Sequence, residues 1–210
     1  MKKFHLILFL LLFIKPLQAQ FSLGISGNLN YSGISGNAPS NTIFNKTVNF
    51  GAGVLLDYKI NDEIILSFQP MYVRRGAMLS YDLPSYKEPR DSLRMNLDYF
   101  SFPLLLKFPT NKTVYFSGGI EFAFLIAANY KTVNYDLSGD IKDLINSFDI
   151  LADFGVGLQF KANEYFLIFE GRFSQGLMNG YASEKVVNPI IPVDFKNSSL
   201  QLLISVKFDL

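Results

Sequence analysis

The sequence predicts an all-β fold, an eight-stranded antiparallel up-and-down β-barrel that spans a membrane, and three observations carry that prediction. Polar and apolar residues alternate in eight stretches, most plainly in the last, from Ser199 through Val206 and Phe208 to Leu210. An export-type N-terminus precedes them. Short and long connections alternate between them, as in barrels with short periplasmic turns and long extracellular loops.

At the N-terminus, Met1-Lys2-Lys3 is a short basic region, and Phe4 to Ile14 is an apolar run of about eleven residues. Ala19 offers a small residue for cleavage before Gln20, so residues 1–19 read as a secretory signal and 20–210 as one barrel domain. A spanning helix would need about twenty apolar residues, and Lys15 and Pro16 interrupt this run. Cleavage removes Lys2, Lys3, Lys15 and the single histidine, His5, which leaves 16 basic against 18 acidic residues and a net charge near −2. That balance offers nothing to nucleic acid. Without cysteine there is no lipid-anchoring thiol, disulfide or thiolate metal site, and without histidine the commonest general base and metal ligand is gone. No metal, cofactor or catalytic residue is predicted.

The period of two places strands at 21–33, 47–60, 63–74, 96–108, 113–127, 148–161, 164–176 and 199–209. Asn61-Asp62, Thr110-Asn111 and Ala162-Asn163 mark the short turns. The first and last strands are expected to pair and close the sheet, because an open barrel would leave two unpaired edges.

Alternation does not say which face is wet, since a soluble lipocalin-like barrel shows the same period with its apolar face inward. Volume and charge decide it. The apolar set, including Phe100, Phe102, Leu104 and Leu106 on one strand and Leu202, Ile204, Val206 and Phe208 on another, comes to about forty large side chains, too many for an eight-stranded interior. The opposite set is small or charged, for example Ser22, Gly51, Gly53, Asp57, Lys107, Gly155, Gly157 and Lys207. Turning it outward would put Arg172 in lipid at roughly 2–4 kcal/mol near the midplane. The apolar face is therefore the outer one, and the predicted location is the cell outer membrane.

Turn lengths suggest inward charge pairs, Lys161 with Glu164, Asp153 with Arg172 and Lys59 with Glu63. Glu121, Asp153, Glu170 and Arg172, on three successive strands, are expected to form an ion network that plugs the lumen. Pro70 and Pro103 fall on adjacent strands and cannot donate to a ladder, which predicts a bulge or weak pairing between the third and fourth strands, or a seam where a partner docks.

Several segments resemble a known family. Phe68-Gln69-Pro70-Met71-Tyr72-Val73-Arg74-Arg75-Gly76 is similar to the third strand of the PorT-like outer-membrane β-barrel family of Bacteroidota, with Met71 where that family often carries an acidic residue. Leu97-Asp98-Tyr99 with Phe102-Pro103-Leu104-Leu105-Leu106-Lys107 resembles its fourth strand. The resemblance implies an outer-membrane barrel inserted by the barrel assembly machinery and, in one branch, an accessory role in protein secretion and gliding.

The long loops are the expected recognition elements. Residues 34–46 are rich in Gly, Ser and Asn and read as flexible. Arg74, Arg75, Lys87, Arg90 and Arg94 surround the second long loop and form a basic cluster suited to phosphate or carboxylate groups of surface glycolipid. Lys87 and Arg90 also have acidic neighbours, Glu88 and Asp91, that would neutralise them. Ile141, Leu144, Ile145 and Phe148 are spaced for a short amphipathic helix on the rim, and Asn188 to Val193 reads as an extended apolar segment that lies over the mouth or meets a partner. The functional expectation is a noncatalytic barrel for envelope structure or surface interaction. A small porin for solutes and a secretion accessory are the alternatives.

Overall fold

A computed structural model describes residues 20–36, 42–81, 92–134, 136–182 and 194–210. The proposed signal, residues 1–19, lies outside the described residues, as do Lys87, Arg90 and the segment Asn188 to Val193. Ten strands form: β1 (Phe21–Gly36), β2 (Thr42–Lys59), β3 (Ile65–Phe68), β4 (Met71–Tyr81), β5 (Ser92–Pro109), β6 (Val114–Thr132), β7 (Ser138–Asp140), β8 (Phe148–Ala162), β9 (Tyr165–Gly176) and β10 (Phe195–Asp209). β3 and β4 are two halves of one wall strand, and β7 is a short ribbon on the upper end of β6, so the wall has eight strands. Each wall strand pairs antiparallel with its chain neighbours, and β10 pairs with β1 from Ser22↔Asp209 to Gly36↔Phe195. The sheet is closed, as its edges require.

Side chains alternate across this wall as the apolar-out reading predicts. On β10, Leu200 is 54% exposed and Leu202 49%, while Gln201 between them is 2% exposed. Leu203 breaks the polar alternation but not the geometric one, pointing inward and buried. Phe100, Leu104, Leu106 and Phe108 on β5 line the exterior, with Ser101, Leu105 and Lys107 inside.

The strands run further at the long-loop end than the sequence predicts, and there the pattern changes sense. β5 begins at Ser92 and not near residue 96, with Leu93, Met95, Leu97 and Tyr99 buried inside while Arg94 and Asn96 face outward. Residues 34–36 and 42–46, expected as loop, continue β1 and β2. The inversion coincides with two bulges. On β6, Asp98↔Ala127 and Tyr99↔Leu125 leave Ile126 extra, and on β2 the register slips by one between Lys46 and Gly51. Both lie at the level of the Arg74↔Asp98 pair, where an added residue re-aims the side chains above it.

Three local expectations need correction. The β8–β9 turn is Asn163-Glu164, with Ala162↔Tyr165, so Lys161 opposes Phe166, and Asp153 opposes Ser174 and not Arg172. Likewise Lys59 opposes Ile65, and its ion partner is Asp62 of the turn at 2.6 Å. Asn61 explains that longer turn, since its side-chain oxygen accepts from the N–H groups of Glu63 and Ile64. The prolines interrupt the ladder without a bulge between these strands: Met71↔Ser101 and Phe68↔Leu104 keep one register across Gln69-Pro70. Each proline carbonyl still accepts, Pro70 from the Val54 N–H and Pro103 from the Gln69 N–H, both at 3.0 Å, and only the missing N–H groups are lost. The rim helix is a single 3₁₀ turn, Lys142–Leu144, but Ile141 and Ile145 pack inward from it as the spacing suggests.

Candidate functional site

From the periplasmic end upward, the lumen is a stack of layers. Asp57 of β2 lies between Lys107 of β5 and Lys207 of β10, which approach it to 3.2 and 3.1 Å. Above them Leu55, Tyr115 and Ile168 form a small apolar layer, with the Lys107 ammonium 5.3 Å from the Tyr115 ring centre. The Tyr115 hydroxyl donates to Glu170 at 2.7 Å, Ser117 donates to the same carboxylate at 3.0 Å, and Arg172 pairs with it at 2.8 Å. Arg172 also donates to the Gln69 side-chain oxygen at 2.7 Å, which ties β9 across the lumen to the β3–β4 junction.

Higher still, Arg75 of β4 forms a buried ion pair with Glu121 of β6, its guanidinium 5.5 Å from the Tyr99 ring centre. Asp153 of β8 is fully buried within Coulombic range of both Arg75 and Arg172, and neither of its oxygens has a well-formed hydrogen bond. Asn197 donates to Asp149 at 2.8 Å and to the Tyr99 hydroxyl at 3.2 Å. An apolar layer covers the stack, built from wall residues such as Val73, Leu79, Met95 and Leu97 with Ile141, Ile145, Tyr181 and Phe195.

The four residues expected in the lumen network are thus all inside, divided between a Glu170–Arg172 pair and a Glu121–Arg75 pair with Asp153 near both arginines. The loop cluster is redistributed. Arg75 is a lumen residue, 1% exposed, because β4 continues past residue 74 with the inward parity already set by Ser67 and Gln69. Extending that parity by one residue was the available signal. Arg74 points outward, held by Asp98 through Nε at 2.6 Å and Nη2 at 2.9 Å, with the Tyr72 hydroxyl donating to the same carboxylate at 2.9 Å. Arg94 also lies outside, donating from Nε to Asn96 and from Nη2 to the Val48 carbonyl and the Asn49 side chain.

The lumen-facing glycines are filled by their neighbours and leave no water path. A Cβ at Gly157 would strike the Tyr115 ring, one at Gly155 would meet Ser117 and Glu170, one at Gly51 would meet Asn28, and one at Gly53 would meet Met71. Below the Asp57 layer, a vestibule of about 590 Å³ opens between the periplasmic turns, lined in part by Gln20, Asp62, Lys112, Gln159 and Asp209. Among the described residues no cluster of three or more histidine, cysteine or acidic groups is placed to hold a metal.

Solved structures of similar shape are outer-membrane barrels. Ail, the attachment invasion locus protein of Yersinia pestis, solved with the heparin analogue sucrose octasulfate, is 14% identical, covering 90% of this chain and 99% of that chain at a TM-score of 0.44. OprG from Pseudomonas aeruginosa is 13% identical, covering 92% and 98% at a TM-score of 0.41, and AlkL is 16% identical, covering 91% and 90% at 0.45. No curated protein matches the chain. Residues 18–181 match the family described as outer membrane protein beta-barrel domain, and with a closed wall of apolar exterior the chain belongs to that family and resides in the outer membrane.

Proposed function

We propose that the protein is a noncatalytic barrel with a filled lumen, acting in envelope structure and in interactions at the cell surface. The observation that carries this reading is the stack itself. Two apolar layers enclose a network of paired charges, and the lumen-facing glycines receive neighbouring side chains in place of water. A pore would need a continuous hydrated path, and each apolar layer opposes one. Glu121 and Glu170 are engaged by arginines inside the wall, which takes both carboxylates out of acid–base chemistry. Export by a leader at residues 1–19 and insertion by the barrel assembly machinery belong to the same reading. The secretion-accessory role rests on the PorT-like resemblance alone, and unchanged protein secretion after gene deletion would remove it.

The test is single-channel recording of the refolded protein in planar bilayers. The expected trace shows no steady unitary conductance. A stable open level would overturn the filled-lumen reading in favour of a small porin.

A further inference from the structure

On the outer wall, at the extracellular edge of the apolar belt, three cations converge on the outward face of one strand. The Lys46 ammonium stands 5.4 Å from the Tyr31 ring centre, the Arg94 guanidinium reaches the Val48 carbonyl, and the Arg74 guanidinium lies 6.0 Å from the Phe50 ring centre. Residues 46, 48 and 50 are successive outward-facing stations on β2, about 7 Å apart. The three charges therefore form a ladder along the strand, and among the described residues Asp98 is the carboxylate hydrogen-bonded to it, through Arg74.

Each guanidinium is fixed by one edge and free on the other. Arg74 spends Nε and Nη2 on Asp98, and Arg94 spends Nε on Asn96 and Nη2 on β2, so Nη1 of both has no hydrogen bond among the described residues. Arg94 and Lys46 have no acidic partner among those residues. Fixed, partly unsatisfied cationic donors on aromatic faces are a preorganised receptor for phosphate oxygens.

Directly below the ladder the belt is indented. Gly27 of β1 faces outward opposite Ala52 of β2, a Cβ on it would meet nothing within 4 Å, and Leu29, Leu202 and Ile204 border a groove of about 260 Å³ there. Leu29↔Phe50 is the next outward pair above Gly27↔Ala52, so the groove ends where the Arg74 station begins. An apolar trough leading to fixed cations matches an acyl chain joined to a phosphorylated head.

We propose that this face binds one phosphorylated glycolipid of the outer leaflet, its phosphate on Arg74, Arg94 and Lys46 and an acyl chain in the Gly27 groove. The site lies on the outer wall and is independent of whether the lumen conducts, so the conductance and binding experiments fail separately.

Native mass spectrometry of the refolded full barrel in detergent micelles tests it, with bis-phosphorylated lipid A, dephosphorylated lipid A and inorganic phosphate as probes. One bis-phosphorylated lipid A is expected to stay bound, with the dephosphorylated form and inorganic phosphate weaker by about tenfold or more. The double variant Lys46→Gln/Arg94→Gln should lose about tenfold in retention, Gly27→Leu should weaken acylated probes only, and Lys112→Gln on a periplasmic turn at the opposite end should change nothing. Heat-modifiable gel migration confirms that each variant is folded. Equal retention of the dephosphorylated lipid, or unchanged retention by the double variant, overturns the proposal. A mass of two barrels in place of barrel plus lipid would assign the groove to a second copy of the chain and overturn it equally.

Discussion

The lower and upper parts of β5 use the same alternation to opposite ends. Below the Asp98 level, Leu104 and Leu106 face outward and Lys107 faces in; above it, Leu93, Met95 and Leu97 face in and Arg94 and Asn96 face out. The lower part is solvated by hydrocarbon and must hide its charges, whereas the upper part stands in water and must hide its leucines. One continuous strand is thus built as a membrane barrel below and as a water-soluble barrel above, with the bulges at Ile126 and between Lys46 and Gly51 at the junction.

The largest effects should come from charges enclosed between the two regions. Removing one partner of the buried Arg75–Glu121 pair, as in Arg75→Met, should destabilise by about 3–5 kcal/mol because the carboxylate stays behind without its counter-ion. Replacing both, Arg75→Met with Glu121→Leu, should recover most of that loss. Urea unfolding of the barrel in lipid vesicles, followed by gel mobility, measures both. A single variant as stable as the parent would mean that the pair is hydrated and the lumen is not filled at this level.

A second comparison uses leucines on the same strand. Leu97→Ala opens a cavity in the crown and should cost about 2–5 kcal/mol, whereas Leu104→Ala on the exterior leaves space that lipid fills and should cost much less. Leu104→Arg reverses the order for charge, costing about 2–4 kcal/mol if it lies near the midplane, while an arginine is already native at position 94. Equal costs for the two alanine variants would remove the distinction between the regions.

The lower region was legible in the sequence because lipid outside and charge inside both mark the period, so faces, strand count and closure could be read from residues such as Leu202, Lys207 and Phe208. The upper region was less so. There Arg74 and Asp98 face outward and Leu97 inward, which inverts the hydropathy rule, and bulges shift the parity by one residue that local pattern does not reveal. Arg75 is missed for a simpler reason: the predicted strand ends at residue 74, one short of it, while the inward parity of Ser67 and Gln69 runs on unbroken through Arg75. The pairing of Lys161 failed for a different reason: Asn163 takes a positive φ of 57° in the turn, moving the hairpin by two residues, and turn register is not fixed by hydropathy.

A smaller effect concerns the junction of β3 and β4. Pro103→Ala would supply the N–H that the paired Gln69 carbonyl lacks, in a register already in place, and should stabilise by about 0.5–1.5 kcal/mol. Amide exchange at Gln69 and its neighbours should slow in the same variant. Faster exchange there would show that the proline holds the strands together by its fixed φ and not by what its ladder retains.

The smallest effect contrasts two lysine–aspartate pairs. Asp57 is enclosed by Lys107 and Lys207, while Asp62 meets Lys59 at 2.6 Å on an exposed periplasmic turn. The hydrogen bond and charge of Lys59 lower the Asp62 pKa below its ordinary 3.8. A carboxyl whose folded pKa is depressed contributes stability that is present above its unfolded pKa and lost as the pH falls through the folded one, so any contribution disappears only below about pH 3.8. Because the pair is fully solvated, Asp62→Asn should leave the unfolding midpoint at pH 7 unchanged, while Asp57→Asn, which strands two buried ammonium groups, should lower it clearly. A carbon-detected titration of Asp62 gives the first half of the comparison directly. If Asp62→Asn shifts the midpoint as much as Asp57→Asn, burial is not what separates the two pairs.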